Sequence, residues 1–460
     1  MEKIENYLDN AELGRHHFKA MFVSGMGFFT DAYDLFIIGI AIALIAPIWK
    51  LNSAQIGFLG SISLISALIG SVIFGRIADR FGRKTVYGVE AMIMAVGALL
   101  SAISPDFTWL LISRFLLGVG IGGDYPVSAV IMSEYSNKKD RGKLVGLVFS
   151  MQAVGLITGP LVALALLGLN ITPDLSWRIM LGIGAIPALM VIYLRRKIPE
   201  SPRYTAQVLG DRKKALEDVG KFMNKRVESD KSSNVEKKRS SLIDFFTNKN
   251  LMITLFGTAG SWFLMDYAYY GNTISTPLVL NSISSSMSLE TKTLYTLLIF
   301  VAFALPGYIL SIALIDKIGR KTIQLIGFAV MGISFLLIGI FPEIERQIWL
   351  FFAIYGISYF FTEFGPNTTT FILPSELFPT EYRTTGHGIS AGIGKVGAFV
   401  GTLLFPIIMA AIGFNSTFVI ISVVSFAGIL TTLVLKETKG ESLEEVSKAD
   451  VSPRSVTNEL

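Results

Sequence analysis

Ser261-Trp262-Phe263-Leu264-Met265-Asp266-Tyr267-Ala268-Tyr269-Tyr270-Gly271 sets one carboxylate, Asp266, inside an apolar run from about Leu251 to Leu280. A run of that length reads as a membrane-spanning helix, which puts Asp266 near mid-bilayer. An ionisable group at that depth costs roughly 2.5–3.5 kcal/mol on insertion scales, so such groups face polar cavities and mark a substrate or ion path. Trp262, Asp266 and Tyr270 recur at i, i+4 and i+8, laying an indole, a carboxylate and a phenol along one helix face. That face has the chemistry of half a binding site. The competing reading is a structural Asp hydrogen-bonded to a neighbouring helix.

Working outward, the 460 residues are 52% hydrophobic and 16% charged, a balance that soluble domains do not reach. Apolar runs of about 20 residues recur about twelve times without strand-like alternation, so the expected fold is an all-α integral membrane protein rather than a barrel. The polar start, Met1 to Lys19, has no signal-peptide pattern, and the first helix reads as an internal anchor. With no cysteine, disulfides and thiolate metal sites are excluded. The basic residues gather in alternate loops, Arg76, Arg80, Arg83 and Lys84, then Lys138, Lys139, Arg141 and Lys143. That pattern orients a chain in a membrane, both termini inside, and does not point to nucleic acid.

A polar stretch from about Arg195 to Lys249 divides the chain. The predicted organisation is 1–17 N-terminus, 18–195 first six-helix bundle, 196–249 cytoplasmic linker, 250–436 second bundle and 437–460 cytoplasmic tail. A short surface helix is expected at Asp211–Phe222, with the clusters Arg195-Arg196-Lys197, Arg212-Lys213-Lys214 and Lys237-Lys238-Arg239 either solvated or against headgroups. The halves repeat each other. Gly75 to Thr85, with Asp79, Arg80, Arg83 and Lys84, recurs as Asp316 to Thr322 with Arg320 and Lys321; Ser133-Glu134 with Arg141 recurs as Ser375-Glu376 with Arg383, both pairs seven apart. A duplicated bundle implies a pseudo-twofold axis with the site on it, near the midplane. In the loops, Asp79 is expected to cap a helix N-terminus and the arginines to reach carboxylates on neighbouring helices, forming a conformational latch on the cytoplasmic side.

These loop motifs, with Pro199-Glu200-Ser201-Pro202-Arg203 and Arg114-Phe115-Leu116-Leu117-Gly118, resemble the major facilitator superfamily. Phe28 to Asp34, Gly122-Gly123-Asp124-Tyr125-Pro126, Trp262/Asp266/Tyr270 and Gly365-Pro366-Asn367-Thr368-Thr369-Thr370-Phe371 are similar, more narrowly, to the phosphate:proton symporters. The resemblance implies that Tyr125, Gln152, Trp262, Asp266, Tyr270, Asn367 and Lys395 contact phosphate. It implies a proton path of Asp31, Asp34, Asp124 and Arg114, joined by Asp266. From the residues themselves, Asp31 and Asp34 share a face and cannot both ionise easily in a low dielectric, so a relay, or a pair with Arg114, is expected. Glu363 and Glu90 read as structural.

The function that follows is proton-coupled uptake of inorganic phosphate across the plasma membrane by alternating access, performed by a monomer with phosphate, protons and the lipid bilayer as partners. An organic anion or a sugar is the alternative cargo, and a non-transporting nutrient receptor the alternative class. No metal-ligand constellation, nucleophile elbow or nucleotide loop is visible, so no enzyme, no cofactor and no ATP are expected.

Overall fold

The computed structural model describes residues 2–223, 241–284 and 286–451, and these contain helices and connections without strands. Eleven helices among them are long and apolar enough to cross a bilayer: α1 Arg15–Trp49, α2 Ala54–Phe81, α3 Arg83–Ala102, α4 Phe107–Tyr135, α5 Arg141–Gly168, α6 Pro173–Arg196, α8 Leu289–Ile318, α9 Arg320–Ile340, α10 Ile348–Leu377, α11 Arg383–Ile412 and α12 Phe414–Leu433. The remaining long helix, α7 Lys249–Ile274, has 26 residues, about 39 Å of rise. It falls short of the hydropathy of the others because the polar residues that mark it as a site helix dilute it.

The expected span from Leu251 to Leu280 is thus two helices, since the chain breaks at Ser275 and restarts as Thr276–Ile283 with Pro277 in its first turn. The first span begins at Arg15, earlier than the composition suggested. Ahead of it, Glu2–Asp9 is a helix whose Ile4 and Leu8 pack on Ala206, Ala215, Leu216 and Val219 of the linker. The linker helix forms at Arg212–Met223. The cluster Lys237-Lys238-Arg239 lies outside the described residues.

Glycine governs how closely the helices approach. A Cβ at Gly397 would sit 2.2 Å from the Phe263 carbonyl, and one at Gly401 2.3 Å from that of Tyr267, so this face of α11 rides directly on the α7 backbone. Between the halves, α2 packs along α11 and α5 along α8. These are equivalent pairs under a shift of six in helix number, as a duplicated bundle requires. At the α2/α11 crossing, a Cβ at Gly75 would meet the Thr384 carbonyl at 2.6 Å and one at Gly388 the Ser71 carbonyl at 2.3 Å. Three spans are irregular in mid-helix: α6 turns at Gly184, α8 carries a π-turn at Phe300–Ala304, and α10 breaks at Gly365-Pro366. Irregular backbone at membrane depth is tolerated where it is buried in protein or lines a cavity.

Candidate functional site

The close approach of α7 to α11 brings Lys395 to Asp266. The ammonium lies 3.2 Å from Asp266 Oδ2 and donates to Tyr270 Oη at 2.9 Å. It also stands 4.6 Å and 4.4 Å from the ring centroids of Tyr125 and Tyr270, so both aromatic faces help hold the cation. Tyr125 donates to Asp31 Oδ2 at 2.5 Å, and Gln152 Nε2 donates to Tyr125 Oη at 3.2 Å. Gln152 Oε1 accepts from Tyr308 at 3.2 Å, and Asn367 Nδ2 donates to Tyr308 Oη at 3.0 Å. The indole of Trp262 packs 5.9 Å from the Tyr125 ring. All seven residues expected to contact substrate therefore meet in one buried cluster with Asp31, five from the second half and two from the first.

Sequence reasoning missed Tyr308, which joins the two halves here; it stands four residues into the helix that follows the π-turn, a feature only the structure shows. Glu363, read as structural, is bonded directly by Asn367 Nδ2. Toward the face away from the termini, Phe36 stacks on Tyr270 at 5.4 Å. Beyond it lies a cavity of about 30 Å³ lined by Phe36, Gly39, Ile40, Thr273, Ile274 and Thr293.

The expected proton path is not one chain of side chains. Asp31 and Asp34 turn to different partners. Arg114 donates to the Asp34 carbonyl at 2.7 Å and its Nη1 stands 3.9 Å from the Asp34 carboxylate, at the turn of α6 where Gly184 leaves room. Asp124 is bound by Arg195 at 2.7 Å and 2.9 Å, and Arg195 bonds Glu90 at 2.8 Å. Arg195 is fully buried, so it is no part of a headgroup-facing cluster; it is the cation that neutralises Asp124 and Glu90. Gly27 is required opposite them, because a Cβ there would lie 1.7 Å from Asp124 Oδ2.

On the face carrying the linker and both described chain ends, the repeated loops make a symmetric set of contacts. Asp79 accepts from the Thr384 and Thr385 amides at 3.3 Å and 2.6 Å, and Asp316 from those of Gly142 and Lys143 at 3.1 Å and 2.7 Å. Each aspartate thus caps a helix of the other half, α11 and α5, rather than one across its own loop. Arg83 bonds Asp79 at 3.2 Å and Glu134 at 3.1 Å; Arg320 bonds Asp316 at 2.8 Å and Glu376 at 2.9 Å. Glu200 caps α3 through the Arg83 and Lys84 amides, and Glu437 caps α9 through those of Arg320 and Lys321. Asp79/Asp316, Arg83/Arg320 and Glu200/Glu437 are each 237 positions apart, and the last pair is a repeat the sequence reading overlooked.

The symmetry breaks in three places. Arg383 crosses to Glu134 at 3.1 Å, but its counterpart Arg141 turns to the tail, donating to the Glu441 carbonyl at 3.0 Å. Arg80 is exposed over the Phe81 ring and makes no latch contact. Glu444, in the tail helix Leu443–Val451, pairs with Arg203 of the linker. Burial alone would raise the Glu444 carboxyl, but the Arg203 guanidinium against it outweighs burial and holds it down at about 2.

Two repeated helical halves, a buried polar cluster that joins them and cross-half contacts on one face are the architecture of a membrane transporter of the major facilitator class, not an enzyme. Residues 20–449 match the family described as sugar (and other) transporter. The low affinity inorganic phosphate transporter 4 of Petunia hybrida is 35% identical, the alignment covering 97% of this chain and 94% of that one. Inorganic phosphate transporter 1-4 of Arabidopsis thaliana is 36% identical over 97% and 95%. Among solved structures, the proton:xylose symporter XylE bound to 6-bromo-6-deoxy-D-glucose superposes with a TM-score of 0.76 at 19% identity, covering 94% of this chain and 98% of that one. The chain belongs to the sugar (and other) transporter family of the major facilitator superfamily, in the group of the inorganic phosphate transporters.

Proposed function

We propose that this chain is a proton-coupled importer of inorganic phosphate that works by alternating access, with Tyr125, Gln152, Trp262, Asp266, Tyr270, Asn367 and Lys395 around the anion. The observation that carries this reading is the charge balance of the cluster: one cation, Lys395, among two carboxylates, Asp266 and Asp31. An oxyanion brought into that set is repelled unless protons come with it, on the ligand or on the carboxylates. Phosphate suits such a site, because a group with a second ionisation near pH 6 still carries a proton to donate to Asp266. The names of the relatives support the same cargo.

Asp31, and Asp34 with Arg114, lie nearest the site in the proposed proton route. Asp124, neutralised by Arg195, serves it by position. The 18–195 and 250–436 bundles rock against each other around the site. The Asp79/Arg83/Glu134/Arg383 and Asp316/Arg320/Glu376 contacts hold the linker face shut, and Phe36 gates the opposite side. Basic loops place the linker and both termini in the cytoplasm, and the protein acts as a monomer in the plasma membrane. Labelled phosphate uptake into proteoliposomes, with and without an inward pH gradient, tests the proposal; uptake indifferent to the gradient overturns the coupling, and none at all overturns the cargo.

A further inference from the structure

Most buried carboxylates in the spans face a cation: Asp266 has Lys395, Asp34 has Arg114, Asp124 and Glu90 share Arg195, and Asp79 and Glu134 share Arg83. Glu363 does not. It is completely buried on α10, two residues before the Gly365-Pro366 break, and makes no ion pair among the described residues. Asn367 Nδ2 bonds its Oε2, and the other side-chain donors beside the carboxyl are neutral hydroxyls. The groups that face it are the phenols Tyr269 from α7 and Tyr308 from α8, with Tyr359 on its own helix. On α9, the neighbouring side chain toward the break is the neutral amide Gln324, bonded to Thr369. A lone carboxylate among neutral groups in a membrane interior costs several kcal/mol, which a bound proton removes.

We infer that Glu363 is a second proton-binding site of the transport cycle, set in the second half and coupled to Asp31 through the substrate cluster. It rests on the transport reading above and deepens it. The coupling lies in the direction of one hydrogen-bond chain. As drawn, Asn367 donates to Glu363 and to Tyr308, Tyr308 donates to Gln152, Gln152 to Tyr125, and Tyr125 to Asp31, so the chain ends on two acceptors. That order has each carboxylate accepting at the oxygen that faces the chain, as an ionised group does. When both hold protons, the chain reverses: Glu363 and Tyr308 donate to the Asn367 carbonyl, Gln152 turns to donate to Tyr308, and Asp31 donates to Tyr125, which donates to Gln152. Amide orientations are set by such networks, so Asn367 and Gln152 can turn end for end in place. A proton on the chain-facing oxygen at one end alone leaves two donors or two acceptors face to face somewhere in the chain, and that penalty is what favours joint protonation at those two oxygens. Neither proton travels along the chain, since amides do not relay; each is taken from and returned to water when its half opens. Substrate contacts at Gln152, Tyr125 and Asn367 feel both.

Glu363→Gln in purified, reconstituted protein tests this. The amide keeps the size and the contact with Asn367 but cannot titrate. The proton-to-phosphate ratio, read from the pH gradient that halts net phosphate flux, is expected to fall by about one, as the loss of one linked proton requires. Phosphate affinity should lose the part of its pH dependence that Glu363 contributes, and Glu363→Asp should restore the ratio. A wild-type ratio with a wild-type pH profile in Glu363→Gln overturns the inference. Infrared difference spectra on acidification give a readout independent of transport: a protonated-carboxyl band present in wild type, shifted in Glu363→Asp and lost in Glu363→Gln supports it, and an unchanged band in both variants overturns it. A wild type that moves no phosphate yet shows this titration leaves Glu363 a proton site and removes only the cargo.

Discussion

Glu134→Gln tests the latch where its contacts cross between halves. Glu134 is fully buried and accepts from Arg83 at 3.1 Å and from Arg383 at 3.1 Å. Arg83 keeps a carboxylate in the variant, because Asp79 remains 3.2 Å away. Arg383 loses its direct ion-pair partner: its other bond is to the Phe378 carbonyl, and the remaining carboxylate near it, Glu444, is bonded to Arg203. Breaking one side of a buried pair costs about 3 kcal/mol at the low end of the usual range. The pair exists only while the linker face is shut, so the cost falls on that state alone and shifts the shut/open ratio by roughly 150-fold toward open. The natural chain has no cysteine, which makes the assay direct. Thr85→Cys and Thr322→Cys place spin labels on exposed, repeat-related positions of the linker face, one per half. In Glu134→Gln the main distance population should lengthen, with phosphate affinity little changed and turnover slowed. An unchanged distance distribution refutes the idea that this cluster holds the face shut.

The other predictions are briefer. Asp266→Asn should abolish phosphate accumulation while purification behaviour stays normal, and wild-type uptake by that variant would remove Asp266 from the centre of the site. Arsenate should compete with phosphate and sulfate should not, because sulfate has no proton to offer the Asp266 carboxylate; uptake should rise as external pH falls from about 7.5 toward 5.5. Competition by sulfate at concentrations similar to phosphate would exclude that mechanism. Gly27→Ala should lower the melting temperature by an amount matching about 3 kcal/mol, since its Cβ would land on the Asp124/Arg195 pair, whereas Gly168→Ala, with nothing within 4 Å, should be neutral or slightly stabilising. Docking of the tail should not respond to pH in the transport range. Glu444 has a depressed pKa of about 2, so its contribution is complete above the unfolded value near 4.3 and fades only as pH falls toward 2. A label at the tail that loosens between about pH 7.5 and 5.5 would contradict this.

Two kinds of information in the chain had different reach. The spans were legible because a bilayer imposes a local rule: about 20 apolar residues, hydrogen-bonded within themselves, whatever their neighbours do. The repeat was legible because duplication leaves a copy at fixed offset, and the Trp262, Asp266 and Tyr270 face because it lies on a single helix. Partnership was not legible, since it joins residues far apart in the chain. Only the packing of α7 on the glycines of α11 makes Lys395 the partner of Asp266, and only the α2/α11 crossing turns Asp79 into the cap of a helix 305 positions away. Arg195 looked like the first residue of a basic loop, and Glu363 like a structural carboxylate. Inside the membrane a charge is defined by what stands opposite it, and three-dimensional structure put two carboxylates opposite Arg195 and, among the described residues, no ion-pair partner on Glu363.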